Sequence, residues 1–155
     1  MERRASVTLT RRSLITGMLA TAMAWPSRAL GRDHAVLVTA ESDPDLSLAT
    51  LEVRKLFLGF TIVHDGNALQ PVRNRSDELL DQIFLQHVVS MSVDAYERRL
   101  LVQSLRQGRA RPREVRSREE LLHVLTTVRH TISYAWQADI EGVADIHVVR
   151  TLWRA

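Results

Sequence analysis

With 155 residues, 45% of them hydrophobic and 25% charged, the chain has the composition of one globular domain, which excludes a disordered or fibrous protein. It contains no cysteine, so disulfides, thiolate metal sites, a cysteine nucleophile and a lipid-modified cysteine are excluded as well. The net charge of +3 is unevenly placed: Arg3, Arg4, Arg11, Arg12, Arg28 and Glu2 precede residue 30, which leaves 16 basic against 17 acidic residues beyond it, a net −1. A near-neutral remainder with eight aromatic residues in the whole chain and no stacking run does not suit nucleic acid as a partner.

The first 29 residues have a basic beginning, an apolar centre over residues 14–25 and a small-residue exit at Ser27-Arg28-Ala29. These are the three regions of a secretory signal peptide, with cleavage expected after Ala29. The apolar run is short of the ~20 residues that span a bilayer as a helix. Thr10-Arg11-Arg12-Ser13-Leu14-Ile15 is similar to the twin-arginine export signal, and an ordinary export signal that happens to hold two arginines is the alternative. Either route implies the periplasm of a bacterium.

Beyond the leader, residues 34–39 read as a first strand, apolar on both faces and so central in a sheet. A polar loop containing Pro44 follows. Residues 47–58 read as a helix with Ser47 as its cap, Leu48, Leu51, Lys55 and Leu58 on one face, and Gly59 as its left-handed stop. Residues 60–63 suit a strand, residues 64–67 a tight turn and residues 69–73 a second strand, which Pro71 pushes toward a sheet edge or a strand end. Ser76, Asp77 and Glu78 make an acidic, capped start to a helix carrying Leu79, Leu80, Ile83, Phe84, His87 and Val88 at helical spacing. Ser92 caps a third helix with Val93, Tyr96, Leu100 and Gln103 in line, ended by Gly108, and Ser117-Arg118-Glu119-Glu120 is a capping box for a fourth through Val128. Residues 131–136 and 146–151 read as the last strands, with a turn over 139–142 between them.

The run Leu51-Glu52-Val53-Arg54-Lys55-Leu56-Phe57-Leu58-Gly59, followed by Asp65-Gly66, resembles the helix ending in Ile-Phe-Leu-Gly, and the Asp-Gly turn after it, of phosphate-binding periplasmic proteins. The likeness extends through Arg75-Ser76-Asp77, Arg109-Ala110-Arg111-Pro112 and Ile132-Ser133-Tyr134 and covers roughly residues 35–136. It implies a non-enzymatic substrate-binding component of an ABC transporter. It also implies a three-layer α/β domain over residues 30–155, with a small mixed sheet flanked by about four helices, similar to one lobe of a periplasmic binding protein. In that family an Arg-x-Asp-Gly-Ser-Gly-Thr run wraps the phosphate, and Arg75 and Asp77 match it. Here Glu78-Leu79-Leu80-Asp81 stands where the glycines and hydroxyls would be, and the family's two-lobed length is halved.

Arg73, Arg75, Ser76 and Asp77 are therefore the expected ligand-binding residues, because arginines beside the free NH groups of a helix start attract an oxyanion such as phosphate. A well-capped helix with solvated arginines is the alternative for the same residues. Arg106, Arg109, Arg111, Arg113, Arg116 and Arg118 form a basic loop, either an anion collector or a solvated segment balanced by Glu114, Glu119 and Glu120. His64-Asp65 is the one pairing that could do acid–base chemistry. No histidine has metal-ligand spacing and no nucleophile elbow occurs, so neither a catalytic residue, a metal nor a cofactor is expected. The expected partners are an oxyanion, a membrane transporter or sensor, or a second copy of the chain. An interaction module that has lost its ligand is the rival reading.

Overall fold

The strand β1 (His34–Thr39) is apolar on both faces because it lies inside a five-stranded mixed sheet of order β5-β4-β6-β1-β7. The computed structural model describes residues 32–155 except 42 and 44. The leader expected over residues 1–29, its arginine pair, its exit at Ala29, and Pro44 lie outside the described residues. β1 runs antiparallel to both β6 (Thr131–Trp136) and β7 (His147–Arg154), with two register shifts against β7. β4 (Gln70–Asn74) runs parallel to β6 on one side and to the short edge strand β5 (Arg113–Val115) on the other.

Strand alternation builds two cores, one on each face of the sheet. Ala35, Leu37, Ile132, Tyr134 and Trp136 face one side. They are covered by α1 (Thr50–Phe57), α2 (Glu78–Phe84) with its π-helical continuation Leu85–Val89, and α3 (Val93–Gln107). Val36, Val38 and Ala135 face the other side, under α4 (Arg118–Thr127) and α5 (Gln137–Ile140). The result is a three-layer α/β domain. At the centre of the first core Phe84 stacks on Tyr134 with ring centroids 3.8 Å apart, and Phe57 meets Phe84 edge-on at 4.7 Å. Such aromatic pairs add about 0.5–1.5 kcal/mol beyond their buried area.

Several expected elements shift, each for a local reason. α1 starts at Thr50, not Ser47, because Leu46 and Leu48 are both buried ahead of it. Its inward residues are Val53, Leu56 and Phe57, whereas Leu51 and Lys55 face solvent. The strand expected over 60–63 shrinks to a separate hairpin, β2 (Val63–His64) with β3 (Asn67–Ala68), turned by Asp65 and Gly66 at positive φ. β4 is an interior strand. Pro71 is tolerated because β5 begins to pair only at Val72, so the missing donor falls at a strand end.

The β4–β6 ladder covers Gln70 and Pro71. Beyond it two side chains hold the strands together: Ser133 Oγ donates to the Val72 carbonyl at 2.7 Å and Asn74 Nδ2 donates to the Tyr134 carbonyl at 2.9 Å. Both are buried. They satisfy carbonyls that burial would otherwise leave unpaired, and they fix where β4 ends and the turn into α2 begins.

Candidate functional site

Arg73 leaves β4 toward the first core and is buried, with 1% of its side chain exposed. α2 sets Asp81 opposite it. Arg73 Nε donates to Asp81 Oδ1 at 3.0 Å and Nη2 donates to Oδ2 at 2.7 Å, a fork-to-fork pair. Its Nη1 donates to Glu97 of α3 and, at 3.3 Å, to Glu114 of β5. The guanidinium lies over the Tyr96 ring at 5.0 Å, and Tyr134 donates its hydroxyl to Asp81 Oδ1 at 2.6 Å. Arg75 holds Glu114 at 3.1 Å from the surface and Arg111 holds Glu97, so three arginines meet three carboxylates. Burial alone would pull the Arg73 guanidinium down, but the Asp81 and Glu97 carboxylates outweigh it and raise it above its ordinary value. Burial, reinforced by Asp81, pushes both the Tyr134 and Tyr96 hydroxyls up.

The four residues expected to bind an anion thus lie together at the β4–α2 turn, and each faces a partner within the protein. Arg73 spends its donors on carboxylates. Ser76 donates its amide and its hydroxyl to Asn74 Oδ1, at 3.0 and 2.6 Å. Asp77, not Ser76, caps α2, accepting from the Leu80 amide at 3.1 Å, and it pairs with Arg32 at 2.8 Å. Arg75 keeps 40% of its side chain exposed. The depression beside it, about 230 Å³, is lined by Glu78 and Asp81 as well as Arg75. Asp81, which stands where the family's glycines and hydroxyls would be, is the carboxylate that neutralises Arg73.

A second concavity, about 290 Å³, opens at the other end of β4, between the end of α1, β3 and the last turn of α4. Its floor is apolar and buried, made by Leu56, Leu69, Val72 and Val124, and Arg111 and Arg113 stand exposed at its rim. No carboxylate among the described residues lines it. Among the described residues Arg113 makes no ion pair. One wall depends on Gly59, whose φ is +79° and where an added Cβ would lie 2.9 Å from the Ala110 carbonyl oxygen. Only glycine lets the end of α1 and the arginine loop approach so closely. Arg109 then lays its guanidinium over the Phe60 ring at 3.7 Å, which pins the loop to that wall.

The histidines divide differently from expectation. His64 Nε2 lies 2.7 Å from Asp43 Oδ2 and 3.8 Å from Asp65 Oδ2, so Asp43 is its main partner. The Asp45 amide first, and the His64 ring second, hold the Asp43 carboxyl below its ordinary value. These three side chains place potential ligand atoms within 4.8 Å of one another, a grouping that the separation of 21 positions between Asp43 and His64 hides from the sequence. His130 pairs instead with Glu41, at 2.9 Å.

Sequence reasoning also missed Glu97 and Glu114 as partners of Arg73, and the pocket itself. Arg111 and Arg113 were legible only as members of a basic loop. That they sit over an apolar floor follows from the β5 strand, whose three residues carry no strand pattern of their own.

No family model matches the sequence, and no curated protein does. Among solved structures the chain is similar to an ABC-type phosphate transport receptor from Vibrio cholerae, with a TM-score of 0.45 and 9% identity, over 76% of this chain. The match covers 46% of the receptor, so the chain spans less than half of that protein's length.

Proposed function

We propose that the protein is an exported, non-enzymatic binding module that recognises an anionic ligand. The reading rests on one observation above all: the concavity over Leu56, Leu69 and Val72 is bordered by two arginines and, among the described residues, by no acidic side chain. Arg113, without an ion pair among the described residues and beside a low-dielectric floor, attracts an anion more strongly than Arg111, already paired with Glu97, or than the arginines of the β4–α2 turn. The β4–α2 turn offers less. Of Arg73, Arg75, Ser76 and Asp77, only Arg75 has guanidinium surface to give an oxyanion, and it would give up Glu114 to do so. Residues 1–29 support export to the periplasm. Among the described residues no helix is long and apolar enough to cross a membrane.

Thermal melting of the full chain with sulfate, phosphate or a small carboxylate tests this reading. An anion at about 100 times its dissociation constant stabilises by roughly 2.7 kcal/mol. The stabilisation should fall to about half or less in Arg113→Gln and persist in Arg75→Ala. Loss in Arg75→Ala alone would move the site to the β4–α2 turn, and no shift with any anion would end the reading.

A second reading, docking on a membrane transporter or sensor, is favoured by the outward face of α3. Leu101, Val102 and Leu105 are 51%, 46% and 77% exposed there, as expected of a contact surface. Under that reading Leu101→Glu with Leu105→Glu leaves the melting midpoint in place and abolishes association with the membrane partner in a pull-down from solubilised envelope.

A further inference from the structure

Resting on the anion-binding reading above, we infer that the arginine-rimmed pocket takes an amphipathic carboxylate: an unbranched apolar chain of medium length with one terminal carboxylate. The pocket's two parts call for two different ligand parts. Leu56, Leu69, Val72 and Val124 form an apolar floor, with Thr61, Gln70 and Thr131 also lining the pocket, and an inorganic oxyanion seated on the floor itself would lose water without gaining hydrogen bonds from those four side chains. An alkyl chain on the same floor is favoured by about 25 cal/mol per Å² removed from water. Arg113 and Arg111, at the rim, would meet the charged end. Arg113 is the stronger contact, because Arg111 already donates to Glu97. A guanidinium takes a carboxylate in a two-pronged geometry.

The size agrees. About 290 Å³ lies at the lower end of small-molecule pockets, roughly 300–1,000 Å³, which suits a single medium-length chain such as octanoate better than a bulky ligand. Short acids leave the floor uncovered and neutral alcohols leave Arg113 without a counter-charge. The wall pinned by Gly59 and by Arg109 on Phe60 bounds the chain on one side.

Isothermal titration of the full chain with octanoate, octanol, butyrate and inorganic phosphate tests the inference. Octanoate should bind at least tenfold more tightly than the other three. Arg113→Gln should weaken octanoate by roughly ten- to a hundredfold, the range for one charge-assisted contact. Ala68→Trp, an exposed β3 residue lining the pocket, should block the chain while leaving the fold and both arginines in place. Phosphate binding as tightly as octanoate, with Arg113 required, would overturn the amphipathic ligand and leave the anion-binding reading standing. Octanol equal to octanoate, or no heat from any of the four, would overturn both.

Discussion

The Tyr134 hydroxyl donates to Asp81 Oδ1 at 2.6 Å, the same oxygen that accepts from Arg73 Nε at 3.0 Å. This shared atom ties the sheet, through β4 and β6, to α2, in a place where the Arg73 side chain is 1% and the Asp81 side chain 8% exposed. An arginine at this depth is tolerable only because Asp81, Glu97 and Glu114 surround it.

Removing Arg73 should therefore cost far more than removing a surface arginine. Arg73→Met leaves Asp81 buried without its cation, and urea denaturation should show a loss of about 3–5 kcal/mol. Arg111→Ala, whose partner Glu97 is partly exposed, should change stability by less than about 1 kcal/mol. Equal effects from the two would mean that the network is not buried in solution.

The two tyrosines of the chain are Tyr96 and Tyr134, and both are fully buried with hydroxyls raised above the ordinary 10.0. A group that holds its proton more tightly when folded adds stability that is complete below the unfolded pKa. That stability is lost as pH rises from there through the higher folded value. Tyrosinate absorbance should therefore stay absent through pH 10 and then appear cooperatively, together with loss of the circular-dichroism signal. A gradual rise centred near the ordinary value, with the fold intact, would contradict the burial.

Gly59→Ala forces a side chain into positive φ and into the Ala110 carbonyl oxygen. It should lower stability by about 1–3 kcal/mol and loosen the loop over residues 108–112, which hydrogen exchange can report. Gly66→Ala, also at positive φ but with nothing within 4 Å, should cost less and leave that loop unaltered.

Phe84 stacks on Tyr134 and meets Phe57 edge-on. Phe84→Ala should lower stability by about 3–5 kcal/mol in calorimetry, with Phe84→Leu recovering most of it.

Much of the fold was legible in the sequence. Residues 131–136 read as the strand that is β6, and β1 announced itself by the continuous apolar run over residues 35–38. α3 did so by Ser92, Gly108 and the line Tyr96, Leu100, Gln103, all of which the structure uses. The failures share a cause, since each depended on a distant partner. Leu46 and Leu48 delay α1 because the core takes them in extended form. Ser76 yields the cap to Asp77 because Asn74 claims its hydroxyl. β5 escapes notice because three residues show no period, and its pairing with β4 is what brings Glu114 to Arg73.

The candidate site was legible as a pair of arginine clusters but not in its division of labour. Residues 73–77 and 106–118 both read as anion collectors, and nothing local distinguishes a buried arginine from a solvated one. Asp81, Glu97 and Glu114 lie 8, 24 and 41 residues from Arg73, too far apart in sequence to be read as its counter-charges.

Amide chemical-shift mapping by NMR, with octanoate titrated into the isotopically labelled full chain, addresses the placement of the anion most directly. Shifts should concentrate at Phe60, Ala68, Leu69, Arg111, Arg113 and Val128, and in Arg113→Gln should need roughly ten- to a hundredfold more octanoate to develop. Shifts centred instead on Arg75, Ser76 and Glu78, or none above those of a sodium chloride control, would contradict the arginine-rimmed pocket as the binding site.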